Sequence, residues 1–453
     1  LPPAGKYFAP QIRCRLRSTD VEAARPVASR SLERSPTFLQ VSTRVYCARV
    51  SEADTSPPSQ NLLGEFSART FLSDFYQKRP LFLRQALPGF TSPLSAEELA
   101  GLACEESVES RLIENTYPGS PTNPSPWNLS HGPFSESDFE SLDIDNWTLL
   151  IQDADKHVPA VEKLLSLVRF LPSWSVDDIM ISFAPPGGNV GPHTDQYDVF
   201  LVQAQGTRRW ELSEKAEHGP NRTDTDLRVL SRFKPETTHI ATPGDVLYIP
   251  PNVAHYGVAE DDCITLSFGF RAPSNADLLE AYLGDALEAA DHALLREERT
   301  RPPRHPAELS PQLIEEVASR LQRSLTASAR EPHWLGRYLS ARKPHLPPID
   351  PLPGLTPIEF RDALSTLSLE RTLGTRYLFA QNGPEVTLYV DGEAHPLREI
   401  PRALDFAHLL TEAETLVPEE LAPFLPECVP LLKTLVDESL LAFCSNDERS
   451  ATP

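Results

Sequence analysis

Between residues 175 and 272 the chain is cut into short apolar runs by glycine, proline and aspartate turns. This rhythm constrains the fold more than any other feature. Asp178-Ile179-Met180-Ile181-Ser182-Phe183, Val199-Phe200-Leu201-Val202 and Val246-Leu247-Tyr248-Ile249 are too short for buried helices. Runs of this length, closely punctuated, predict strands of a small antiparallel barrel or jelly roll. The fold class expected is therefore a mainly β core, with helices where the period changes on either side.

The turns between those runs carry the chemistry. Gly187-Gly188-Asn189-Val190-Gly191-Pro192-His193-Thr194-Asp195 follows one strand, and Thr242-Pro243-Gly244-Asp245 opens another that ends at Asn252-Val253-Ala254-His255. A His-x-Asp triplet alone means little, and a single strand histidine is more often packed or solvated than ligating. His193, Asp195 and His255 together supply two imidazoles and a carboxylate, the set that grips one face of a non-haem ferrous ion. Alternation along a strand is expected to point His193 and Asp195 into the barrel mouth together, with His255 brought alongside by closure. The open face leaves positions for a bidentate co-substrate and for O2. The net positive charge left on Fe(II) suits an anionic 2-oxo acid. A zinc or manganese cupin could use the same three ligands. His131, His157, His218, His239 and His333 have no matching partner at ligand spacing.

A 2-oxo diacid brings a second carboxylate, which a guanidinium meets in fork geometry. Gln205-Gly206-Thr207-Arg208-Arg209-Trp210-Glu211-Leu212 offers two arginines on an apolar strand. If Trp210 faces the core, Arg208 does too, which makes Arg208 the expected anchor and Arg209 a surface charge. Ser182 and Thr265 are hydroxyls on barrel runs that could serve the co-substrate pocket, or be ordinary strand residues. Tyr197 and Asp198, beside the ligands, are candidate substrate contacts, Asp198 by charge; packing is the competing reading for both.

A formal net charge of −22 opposes non-specific nucleic-acid binding, which rests on neutralising phosphates. It favours encounter with a basic partner. The six cysteines are scattered without a Cys-x-x-Cys pair, which fits a reducing compartment. No apolar run approaches a membrane span. Residues 1–60 hold nine basic against three acidic side chains in their first fifty positions and show little periodicity. They read as a disordered or non-native extension, with an organellar transit peptide as the alternative to a cytoplasmic protein.

Residues 61–273 are expected to form the catalytic domain. Ser67–Tyr76 reads as a helix, and Ser95 three residues before Glu98 as a capping box. From Asn275, Leu278, Leu279, Tyr282, Leu283, Ala286, Leu287, Ala290 and Leu294 fall on one helical stripe, and Gln312–Leu325 reads as a second helix; together they make 274–343 a helical segment. Lys343–Pro357 reads as a proline-dense linker. Residues 354–446 combine helices at Pro357–Leu367, Leu404–Leu410 and Pro430–Phe443 with a hairpin of Arg376–Phe379 against Val386–Val390, a winged-helix-like pattern. Its acidity argues for packing or protein docking over DNA reading.

With those residues assembled, the chain resembles the JmjC-type, cupin-fold ribosomal oxygenases. The likeness is closest to the bacterial branch that hydroxylates an arginine of the sixteenth large-subunit ribosomal protein. Gln77-Lys78-Arg79-Pro80, Leu99-Ala100-Gly101-Leu102-Ala103, Ser107-Val108-Glu109-Ser110-Arg111-Leu112, Ser130-His131-Gly132-Pro133-Phe134, the run from Asp177 to Phe200, Arg208-Arg209-Trp210, Pro243 to His255 and Ser267-Phe268-Gly269-Phe270-Arg271-Ala272-Pro273 carry it. It is dense from about 62 to 275, thinner beyond, and absent over the first sixty residues.

The resemblance implies a double-stranded β-helix, Fe(II) held by His193, Asp195 and His255, and 2-oxoglutarate held through Arg208. It further implies a homodimer formed by the helical segment and a C-terminal winged helix. The implied reaction is β-carbon hydroxylation of a peptide arginine. Histidine hydroxylation, lysine demethylation and a non-catalytic docking scaffold are the alternatives on the same fold. Asn189 stands where relatives usually carry glycine and Thr194 where leucine is common, departures expected to reshape the substrate entrance.

Overall fold

The computed structural model describes residues 61–115, 127–214, 220–288, 305–307, 309–329, 333–346, 349, 354–413 and 415–444. The expected extension at 1–60 lies outside these residues, as do Ala290 and Leu294 of the helical stripe.

Eleven strands build the catalytic region: β1 (Leu81–Leu83), β2 (Ser110–Asn115), β3 (Trp127–His131), β4 (Trp147–Ile151), β5 (Val176–Ala184), β6 (Val199–Gln205), β7 (Arg208–Ser213), β8 (Thr237–Ala241), β9 (Val246–Ile249), β10 (Ala254–Ala259) and β11 (Cys263–Phe270). Eight form one sheet in the order β1-β9-β6-β11-β5-β4-β2-β3, and three form a second, β10-β7-β8. Sheet order departs from chain order, so neighbouring strands come from distant segments of the chain. β9 is buried along its whole length, and β11 carries no exposed residue. Such strands, covered on both faces, read as continuous apolar runs. Turns use the left-handed backbone that glycine permits: Gly206 (φ +63°) sits between β6 and β7 with no room for a Cβ, which would meet Asp262 O at 2.3 Å.

By proximity of its Cα atoms the chain divides into two units, 1–151 with 182–194 and 201–265, and 152–181 with 195–200 and 266–453. The first unit holds the β10-β7-β8 sheet and the Ser95–Glu98 capping box, which forms as expected. The second holds the helices Asn275–Glu288, Pro311–Ala329 and His333–Ser340 and two further antiparallel sheets. These comprise β12 (Ser368–Arg371), β13 (Tyr377–Asn382), β14 (Glu385–Val390), β15 (Glu393–Pro396), β16 (Thr415–Leu416) and β17 (Leu441–Cys444), in the orders β16-β12-β17 and β13-β14-β15. Phe360, Leu369, Leu388, Phe406 and Leu432 sit in a continuous apolar core beneath them.

Beyond the expected hairpin, the turn at Asp391-Gly392 leads into a third strand, β15. Two expectations need correction here. The helix expected over Pro430–Phe443 stops at Asp437, because Ser439 adopts φ +58° and redirects the apolar run Leu441–Cys444 into β17. Lys343 is no linker residue: its side chain is 12 % exposed and bridges Asp153 at 2.7 Å and Asp177 at 3.0 Å.

Candidate metal centre

One strand end and one loop bring the three expected ligands together. His193, Asp195 and His255 each offer a ligand atom, and these atoms lie within 4.8 Å of one another, the one such group among the described residues. His255 is the second residue of β10, paired with Leu212 of β7. His193, contrary to expectation, lies on no named strand. It forms an isolated antiparallel bridge with His255, His193 N donating to His255 O at 3.0 Å and His255 N to His193 O at 2.9 Å. The reciprocal bond holds the two rings side by side, centroids 4.2 Å apart. Backbone pairing sets the spacing of the imidazoles.

Each imidazole is held in one orientation by a backbone carbonyl two residues upstream. His193 Nδ1 lies 2.9 Å from Gly191 O, and His255 Nδ1 lies 3.1 Å from Val253 O. With the proton on Nδ1 donated to the carbonyl, Nε2 keeps its lone pair, the tautomer a metal ligand needs. The donor set therefore fits a divalent cation: two oriented neutral imidazoles and a carboxylate, converging on one point.

The strand beside the centre carries the second feature. Along β7 exposure alternates as expected, with Arg208 and Trp210 both 6 % exposed and Arg209 turned outward to Glu211 and Glu260. Small residues opposite make the room: Arg208 pairs with Ala259 and Trp210 with Gly257, where a Cβ would meet the indole at 2.5 Å. Arg208 Nη1 donates to Ser182 Oγ at 3.3 Å and its guanidinium lies 5.6 Å from the Trp210 ring, but its Nε has no partner. Among the described residues no carboxylate pairs with this buried cation. Burying an uncompensated charge is costly, and an anion arriving at the site would offset that cost.

The expected hydroxyls lie around it. Ser182 Oγ donates to Thr265 O at 3.3 Å, and Thr265 Oγ1 donates to Gln203 Oε1 at 3.0 Å. Gln203, buried beside Thr265, has no signal in the sequence beyond its place in an apolar run. Tyr197 is 42 % exposed, whereas Asp198 is 3 % exposed and its backbone carbonyl accepts from Phe270 N. Asn189 does not shape an entrance by exposure: it is 6 % exposed and its side chain bonds Trp127, Gly187 and Gly191.

A JmjC domain model matches residues 163–278, the stretch containing all three expected ligands. The ribosomal protein uL16 3-hydroxylase of Escherichia coli is 36 % identical over 302 residues, 65 % of this chain and 77 % of that protein. The chain belongs to the JmjC ribosomal oxygenase family. A probable ribosomal oxygenase of Haemophilus influenzae is 39 % identical over 215 residues, 46 % of this chain and 51 % of that protein. The structure of the E. coli ribosomal oxygenase YcfD in complex with cobalt and 2-oxoglutarate superposes with a TM-score of 0.69 at 34 % identity, covering 83 % of this chain and 97 % of that one. The antiparallel barrel or jelly roll expected from the strand rhythm, and the cupin fold implied by the resemblance, are thus met by a JmjC cupin fold.

Proposed function

We propose that the protein is an Fe(II)- and 2-oxoglutarate-dependent oxygenase that hydroxylates the β-carbon of an arginine in the sixteenth large-subunit ribosomal protein. The observation that carries this reading is a convergent His193–Asp195–His255 triad accompanied by a buried guanidinium that lacks a counter-charge. When bound, the ferrous ion would supply oxygen activation, with one oxygen atom entering the substrate and the other leaving in succinate as 2-oxoglutarate loses CO2.

The chain's own residues bind and orient. His193 and His255 present Nε2 because their Nδ1 atoms are held by Gly191 and Val253. Arg208 receives the distal carboxylate of 2-oxoglutarate, Ser182 steadies its Nη1, and Thr265 lines the same pocket. The packed indole of Trp210 keeps water from that ion pair. Tyr197, exposed next to the ligand loop, meets the peptide; Asp198 is buried and cannot reach a docking chain without moving. The net charge of −22 favours encounter with a basic ribosomal protein, and the cytoplasm, where ribosomes are, is the location this reading assigns.

Supporting a dimerisation role for 274–343, its helices leave Leu279, Leu287, Ile314 and Leu321 more than half exposed, and a cleft of about 490 Å³ lies beside Leu321 and Leu325. A second copy of the chain is the occupant this reading assigns; Leu321→Glu should lower the mass seen by light scattering. The 354–446 region, read as winged-helix-like, would serve packing or protein docking.

Aerobic incubation with Fe(II), 2-oxoglutarate and the ribosomal protein tests the reaction, read by intact mass. A gain of one oxygen atom, placed on arginine by fragmentation and absent with His193→Ala, is expected. An oxygen on histidine, a lost methyl group, or no change would each overturn the proposed substrate.

A further inference from the structure

The loop leading to His193 is longer than the strand it faces. Gly187 N donates to Ala259 O at 2.8 Å and Ala259 N to Gly188 O at 3.0 Å, while four residues back along β10 the backbone of His255 pairs with His193. The loop covers the same span in the six steps from Gly187 to His193, so about two residues are surplus and must buckle out of the pairing, as in an extended β-bulge. A buckle of this kind is free to settle in more than one way unless something fixes it, and His193 stands at its end.

Asn189 lies at the centre of the buckle. Its Oδ1 accepts from Gly191 N at 3.0 Å and from the Trp127 indole Nε1 at 2.9 Å, and its Nδ2 donates to Gly187 O at 2.9 Å. One amide therefore ties both ends of the loop and anchors them to β3. Gly191 then takes φ +78°, with Val229 and Trp127 packed where a side chain would stand, and presents its carbonyl to His193 Nδ1. Asn189 thus fixes the amide side of Gly191 while His193 reads the carbonyl side.

We propose that Asn189, braced by Trp127, is a positioning residue that sets the orientation and tautomer of His193 through Gly191. The inference rests on the triad being the metal site. Partners one step behind metal ligands typically govern affinity by about 10- to 100-fold. Asn189 acts one step further back, so Asn189→Ala should weaken metal binding by about tenfold, the lower end of that range. Asn189→Ser keeps a shorter acceptor for Gly191 N and should fall between alanine and the parent. Trp127→Phe keeps the ring against Gly191, loses the indole donor, and should cost least.

The probe is Co(II), titrated into the intact protein and followed by its visible absorption, at a temperature well below each variant's unfolding midpoint. The order parent, Trp127→Phe, Asn189→Ser, Asn189→Ala in falling affinity is expected, with all four reaching the same saturated spectrum. A lowered midpoint with Co(II) affinity within twofold of the parent in every folded variant would mean that Asn189 only stabilises the loop, and the proposal would be wrong. Should Asn189→Ala not fold, the serine and phenylalanine variants decide by the same criterion. If the parent itself takes up no Co(II) and His193→Ala behaves identically, it is the metal-site reading that fails; parent binding that His193→Ala abolishes keeps the two questions separate.

Discussion

Two cations largely withdrawn from solvent, Lys343 and Arg208, have opposite surroundings. Lys343 stands between Asp153 and Asp177, and His345 Nε2 adds a contact to Asp153 at 2.8 Å. Burial alone would lower the Lys343 pKa, but Asp178, Asp177 and Asp153 outweigh it and hold the ammonium above its ordinary value. Arg376 and Arg271 reach Asp177 as well. Arg208 is equally removed from water, yet it has a hydroxyl, an indole face and no acid among the described residues. The first arrangement neutralises itself and holds parts of one unit together. The second is neutral only when something negative arrives. A structural network closes its own charge; a binding site leaves it open.

Substitutions can break or sharpen this contrast. The largest effect belongs to the centre beside Arg208: His193→Ala or Asp195→Ala should abolish succinate formation and Co(II) uptake while far-ultraviolet circular dichroism stays that of the parent. Retained turnover would separate the triad from the chemistry. Lys343→Ala comes next, because it strands Asp153 without its main counter-charge. A loss of about 3 kcal/mol or more in urea unfolding is expected, with the 2-oxoglutarate requirement unchanged.

Arg208→Ala should do the reverse. Its unfolding midpoint without ligand should stay level or rise, since an uncompensated buried charge has gone. The KM for 2-oxoglutarate should rise by about thirtyfold, corresponding to about 2 kcal/mol of lost pairing. If instead the apo protein is destabilised and KM is unmoved, Arg208 belongs with the structural cations.

A further effect is one of pH. Burial pushes the Asp178 carboxyl up to about 6; Lys343 pulls it down, while Asp153, Asp155 and Asp177 raise it further. The folded protein therefore keeps this proton where the unfolded chain has released it. The associated stability is complete below about pH 4, the unfolded value, and is lost as pH rises through about 6. Asp178→Asn should flatten that slope, narrowing the difference between unfolding free energies at pH 4 and pH 7 by up to about 3 kcal/mol. An unaltered slope would show that Asp178 ionises normally in the fold.

Much of the catalytic region was legible because its signals are local. Turn residues around His193 and His255 mark where strands end, and alternation through Arg208-Arg209-Trp210 chose the inward arginine without coordinates. Long-range features left no such trace. Lys343 lies in a polar, proline-dense stretch without periodicity, and its partners Asp153 and Asp177 are far away in the chain. The backbone bridge between His193 and His255 joins residues far apart in the chain, which local turn and alternation signals do not report. The three bonds of Asn189 reach back to β3 and across its own loop, contacts that no local pattern announces. In the C-terminal region, Ser439 in a left-handed conformation broke an apolar run that composition alone extends as helix.

The reciprocal bond between His193 and His255 has a consequence for how the protein comes into being. The two donors are sixty-two positions apart, and only completed closure seats them side by side. A nascent or partly opened chain has no platform on which oxygen could be activated. Metal capture reports a finished barrel, and oxidising power is withheld until the surrounding walls are there to contain it.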